Sequence, residues 1–227
     1  MHRQIARSWS RTAFFALFIL APPLDIFRLD LLQGHFIFFG LDWTLGLEPL
    51  AHGEMSPLAA TINIIVFAFL PLASVVGLGL WLSWKYGRLY CGWLCPHFSV
   101  VEMINSLMRR ASGRPSVWEP STLPQQESSG AVYKTDRRYW LPAGIAIIGF
   151  AFLWAVVLLT YLLPPALIYG NLIAGELSRN QTIFISVGTL LLCLEFLLAR
   201  HLFCRFGCAV GLFQSLVWMA NDKALAI

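Results

Sequence analysis

The chain has 227 residues, of which 58% are hydrophobic and only 12% charged, and its mean hydropathy is +0.68. Soluble globular domains carry about 25% charged residues, so this composition excludes an ordinary water-soluble enzyme and points to a bilayer as solvent. The net charge of +4 sits in segments between apolar runs and calls for no nucleic-acid partner.

The first apolar run, TAFFALFILAPPLDIF from Thr12, is short and contains Pro22 and Pro23. It has no small-residue cleavage site, so it reads as a retained span rather than a signal peptide. Residues 25–57 follow. They are too apolar for a solvated loop and too broken by Gly and Pro to span, which predicts an interfacial or re-entrant segment. His35 and His52 lie there with Asp25, Asp30 and Asp42, a set that suits either hydrogen bonding to a quinol headgroup or a plain polar interface.

No charge occurs between Glu54 and Lys85, or between Arg138 and Glu176. Each gap exceeds the roughly 20 residues a helix needs to cross a bilayer, which places spans near 58–84 and 140–163. A fourth span is expected over 181 to about 203, with Glu195 as its one acidic residue and Arg200 at its C-terminal end. Between the second and third spans, residues 111–136 are rich in Ser, Pro and Gly and read as a flexible linker.

Cytoplasmic loops retain Lys and Arg. Fourteen of the sixteen basic residues fall before the first span, between the second and third, or after the fourth. Both termini are therefore expected in the cytoplasm. The fold class is all-α: a polytopic membrane protein of four transmembrane helices forming two parallel two-span repeats, each followed by a cytoplasmic Cys-x-x-x-Cys segment and an amphipathic helix. The repeats cover 1–110 and 139–227, with the linker at 111–138. A shift of 113 residues lays Leu89, Tyr90, Cys91 and Cys95 on Leu202, Phe203, Cys204 and Cys208.

Four cysteines on a reducing face are not expected to form disulfides. On a continuous helix, positions i and i+4 stand about 5–6 Å apart, beyond disulfide reach. Two thiolates from each repeat make a four-sulfur set suited to an iron-sulfur cluster, zinc or copper(I). Pro96 is expected to open the helix at Cys95 and free amide N–H groups for cluster sulfur. Cys193 has no partner in sequence and reads as a packed span residue. His97 and His201 flank the pairs, as metal ligands or as half-solvated interfacial groups. An intramembrane carboxylate is costly, so Glu195 is either a proton acceptor or a partner of Arg200. Met103, Met108 and Met219 are soft potential copper ligands, but at helical spacing among aliphatic residues they read as packing. The absence of histidine from the clear spans argues against a haem held between two histidines.

GRLYCGWLCPHFSVVEM, with its Cys-x-x-x-Cys-Pro, resembles the corresponding segment of the NapH, NosR and CcoG (FixG) membrane-bound ferredoxin-type proteins. FCRFGCAVGLFQSLVWMAND resembles the second such segment, and PLDIFRLDLLQGHFIFFGLDW the first outer loop of the CcoG branch. The resemblance implies a bacterial inner-membrane protein that passes electrons between the quinone pool and a separate redox partner, a ferredoxin or reductase subunit. It implies one [4Fe-4S] cluster on Cys91, Cys95, Cys204 and Cys208. Copper binding or reduction in metalloenzyme assembly is the alternative it carries. Two departures stand out. Ala209 replaces the proline expected after Cys208, and no Cys-x-x-Cys-x-x-Cys run occurs in the chain, so these residues supply ligands for one four-cysteine cluster at most. A thiol-disulfide oxidoreductase is the competing class, and it needs its cysteines on the oxidising face.

Overall fold

The computed structural model describes residues 2–114, 116–117, 135–199 and 203–222. Most of the expected linker lies outside these residues, as do His201 and Arg200. The described chain is mostly helical, and three of its helices are long and apolar enough to cross a membrane: α2 (Pro57–Tyr86), α5 (Arg137–Thr160) and α7 (Arg179–Leu198). The first helix, α1 (His2–Leu20), is not among them. Its first three turns carry Arg3, Arg7 and Arg11, and it ends just before Pro22 and Pro23, which leaves an apolar stretch of only about two and a half turns.

Residues 25–57 hold three antiparallel strands, an element the all-α reading did not include: β1 (Phe27–Asp30), β2 (His35–Phe38) and β3 (Leu41–Trp43). Positive φ at Gly34 and Gly40 gives the two tight reversals. The N–H groups of Leu29 and Leu31 donate to the carbonyls of Tyr161 and Leu162, at 2.9 and 3.0 Å. This fastens β1 to the chain just beyond α5.

Helix α2 starts at Pro57, where Ser56 caps the Ala59 N–H at 3.3 Å. It contains one π-helical turn, Ile65–Phe69. Pro71 has no N–H to give to the Phe67 carbonyl, and that carbonyl instead accepts the Trp43 Nε1–H at 3.0 Å.

Beyond α2 come α3 (Leu89–Trp93) and α4 (Pro96–Ser112). Buried Val100, Val101, Ile104, Met108 and Ala111 form one stripe of α4, the spacing of an amphipathic helix. That stripe packs on Ala143, Ile147 and Ala151 of α5 and on Phe196 of α7. The His97 ring stands 6.3 Å from Trp154, while the Arg110 guanidinium lies 5.8 Å over Tyr139. Helix α4 therefore runs back along α5, with its N-terminus well inside the length of that helix. A short helix α6 (Pro165–Ala174) follows α5 and adds Ile168 to a second cluster with Val156, Leu159 and Ile185. The last helix, α8 (Ala209–Met219), packs on α2. There Asn221 Nδ2 donates to the Trp84 carbonyl at 2.7 Å, and the Trp218 ring lies 3.2 Å from where a Cβ on Gly87 would stand. Gly87 also has φ +69°, so only glycine makes this turn without strain. The helix after each cysteine pair thus packs on a long helix of the other half.

Candidate metal centre

Neither cysteine pair lies on one continuous helix. Cys91 sits in α3 and Cys95 is the N-cap of α4, with φ −63° and ψ 114°. Cys204 lies in a π-helical turn, Phe203–Gly207, and Cys208 is the N-cap of α8, with φ −84° and ψ 110°. The helix break expected at Cys95 is present, because Pro96 fits the first helical position and disfavours a helical conformation before it. Ala209 does not alter the second pair's cap: Cys208 is extended in the same way. The Cys95 N–H donates to the Tyr90 carbonyl at 2.9 Å, and the Cys208 N–H to the equivalent Phe203 carbonyl at 2.7 Å.

The four thiols lie within electrostatic reach of one another. Burial raises Cys91, repulsion from Cys95 and Cys208 adds to this, and Arg88 opposes it. Burial also raises Cys95, against the N–H groups of Phe98 and His97 and the charge of Arg11, which favour its thiolate. Neither N–H makes a formed cap hydrogen bond to the sulfur. Cys204 is pushed up to about 12 by burial and then by Cys95, Glu195, Cys208 and Cys91. Tyr90, beside the site, is pushed up to about 12 by burial, Cys95, Cys91 and Cys208. Every pair among the four cysteines is represented in these interactions. All four are half-buried and free.

This donor set suits a group that binds several thiolates and compensates their mutual repulsion with positive metal charge. Among the described residues, no three His, Cys, Asp or Glu side chains are drawn to the spacing of one metal ion. Cys193 packs against the hydrophobic core, in keeping with its reading as a span residue. Met108 is fully buried in that core, whereas Met103 and Met219 are exposed.

Glu195 pairs with a group that sequence reasoning had not assigned to it. Its Oε1 lies 2.8 Å from His97 Nε2, and both side chains are only 12–13% exposed. The rings of Phe203, Phe196 and Trp154 surround the imidazole at 5.5, 5.7 and 6.3 Å. His35 Nε2 lies 3.0 Å from Asp42, and Arg28 bonds both Asp25 and Asp30.

Five further residues shape the site and were not singled out for it from sequence. Arg7 Nε and Arg11 Nε both donate to the Gly92 carbonyl, at 2.8 and 3.0 Å, and Ser10 Oγ donates to the Trp93 carbonyl at 3.0 Å. Helix α1 thereby holds two carbonyls inside the first Cys-x-x-x-Cys loop. Arg11 also pairs with Glu102. On the second loop, a Cβ at Gly211 would stand 2.5 Å from the Cys204 carbonyl oxygen, so glycine is what lets the first turn of α8 press on the Cys204 turn. The i, i+4 spacing of Arg7 and Arg11 on one helix face was the available signal for the first group; nothing marked Gly211. Across the halves, Cys91 Sγ donates to Gln214 Oε1 at 3.4 Å.

A family model described as a 4Fe-4S binding domain matches residues 61–115 and 181–223. The first stretch holds most of α2, Cys91, Cys95 and α4; the second holds most of α7, Cys204, Cys208 and α8. No curated protein and no solved structure matches the chain. Over these two stretches the chain is similar to 4Fe-4S-binding proteins, and the match supports an iron-sulfur cluster of the [4Fe-4S] type as its cofactor.

Proposed function

We propose that Cys91, Cys95, Cys204 and Cys208 together ligate one [4Fe-4S] cluster, and that the protein passes electrons between the quinone pool and a separate redox protein. The observation that carries this reading is the mutual reach of four free thiols presented in two matching frames, each within a stretch matched by the 4Fe-4S family model. When bound, the cluster supplies one-electron transfer. The chain's own residues do the rest. The extended cysteines stand at the N-termini of α4 and α8, where the helix dipole favours negative charge on sulfur. Partial burial limits access of water to the thiols, and the α1 donors hold the first loop. His97 and Glu195 form a buried acid–base pair beside the thiols, placed to hold a proton when the charge of the site changes.

The finer resemblance to NapH, NosR and CcoG proteins supports a bacterial inner-membrane location and quinol as the electron source, while the distribution of Lys and Arg supports both termini in the cytoplasm and, with them, a fourth span through α1. Anaerobically purified protein is expected to contain iron and sulfide, with the EPR signal of a reduced cluster. Replacing Cys204 and Cys208 with serine should remove both together, since two thiolates cannot retain the cluster. Stoichiometric copper without iron in the unmodified protein would overturn this reading in favour of copper handling.

A further inference from the structure

The three-stranded sheet is inverted relative to one built for water. Register pairs Phe27 with Phe38, Leu29 with Phe36, Phe36 with Trp43 and Phe38 with Leu41. Paired residues share a face and alternate residues return to it, so these six side chains form one apolar face. Arg28, Asp30, His35, Ile37 and Asp42 lie on the other. Water would bury the first face and solvate the second. In β1 and β2 the structure does the reverse: Asp30 is 1% and Arg28 8% exposed, whereas Phe27 is 47% and Phe38 45% exposed; β3 is exposed on both faces. The guanidinium of Arg28 and the Asp30 carboxylate bond each other at 2.7 Å against the protein body, with Ile37 buried beside them.

The exposed face continues another apolar surface. Trp43 donates to the Phe67 carbonyl that Pro71 leaves without its helical donor, and the two rings meet edge to face at 6.2 Å. The flank of α2 around this point, including Ile62, Ile65, Val66, Phe69 and Leu70, is likewise exposed, and the most apolar stretch of that helix has no part buried within the protein. A helix of that length and composition is covered by lipid, and the sheet extends the same envelope. Its depth is limited by its edge. β1 is closed by the Tyr161 and Leu162 carbonyls, but among the described residues β3 has no strand beyond it, and an open edge is not tolerated in hydrocarbon. The headgroup–acyl boundary accommodates both an aromatic face and a short open edge.

The geometry points to a lipid-docking face formed by Phe27, Phe36, Phe38, Leu41 and Trp43, seated at the headgroup–acyl boundary on the side of the membrane where α5 ends. The occupant is the acyl region of phospholipid, contacted by an inverted β-sheet rather than by a helix. This inference is independent of the cluster: it depends on the sheet, on α2 and on the end of α5.

The test is site-specific photo-crosslinking in native membranes, with p-benzoylphenylalanine replacing Phe38 on the apolar face or Asp42 on the opposite face. Phospholipid adducts at position 38, with yield near background at position 42, are the expected result. A polypeptide adduct at position 38 would overturn the proposal and make the face a protein-docking surface; equal lipid yields at the two positions, or none at 38, would also overturn it. Trp43→Phe gives a second measurement that inserts no bulky group. In vesicles containing lipid brominated near the headgroup, the wild-type protein should lose one more tryptophan's worth of emission than this variant. Equal quenching would count against the inference.

Discussion

At the scale of single residues, the site depends on contacts that no linear motif displays. Arg11 touches the first loop through Gly92, and its charge favours the Cys95 thiolate. Removing a positive charge near a redox group disfavours the added electron, so Arg11→Gln should lower the cluster's midpoint potential by tens of millivolts, equivalent to on the order of 1 kcal/mol. Arg11→Lys keeps the charge and should leave the potential near the wild-type value. A redox titration followed by EPR separates the two, and an unchanged potential in Arg11→Gln would show that Arg11 only holds the loop. Gly211→Ala places a methyl against the Cys204 carbonyl. Overpacking of this kind costs about 1–3 kcal/mol, and the expected readout is reduced iron content per protein in a variant that still inserts into membranes. The four cysteines were legible in sequence because their spacing repeats. Arg7, Ser10, Gln214 and Gly211 were not, because their roles exist only once α1 and α8 are docked.

At the scale of elements, the largest departure from the sequence reading is the sheet in residues 25–57. Its strands have four, four and three residues, too short for periodicity to distinguish them from an irregular interfacial loop, and its outward aromatics reverse the usual burial rule. The Arg28–Asp30 pair beneath it gives a pH-dependent prediction. Burial alone would raise the Asp30 carboxyl, but the Arg28 hydrogen bond, the N–H groups of Leu32 and Gln33 and the Arg28 charge outweigh it, leaving the group below its usual value. Its contribution is therefore present above the ordinary aspartate value of about 3.9 and is lost as pH falls through the lower folded-state value. Thermal melting of detergent-solubilised protein should show wild type losing stability over this acid range, while Asp30→Asn is less stable at neutral pH and flatter with acid. Asp30→Ala should cost less than the about 3–5 kcal/mol of a buried charge left without any partner, because Arg28 keeps its bond to Asp25.

At the scale of the whole molecule, the two halves interlock: α4 of the first lies on α5 and α7 of the second, and α8 of the second lies on α2 of the first. The cysteine loops are carried at the junctions of these helices, so the site needs both halves in place. The fourth span and the sidedness rest on charge distribution. Reporter fusions at Gly130 and Asn180 should report cytoplasm and exterior respectively. An exterior signal at Gly130 would reverse the topology and place the thiols on the oxidising side.

The sequence by itself determined that the chain carries segments long and apolar enough to cross a membrane, that α2, α5 and α7 exist, and that two cysteine pairs share a context, because hydropathy, charge-free length and a repeated spacing are properties of the linear chain. It also placed the helix break at Cys95, since Pro96 acts on its immediate neighbour. Tertiary structure alone decided that His97 faces Glu195, that α1 grips the first cysteine loop, that α8 crosses to α2, and that an aromatic sheet turns outward over a buried ion pair. These depend on which surfaces meet after folding, and side chains about 100 positions apart carry no mark of one another until packing brings them together.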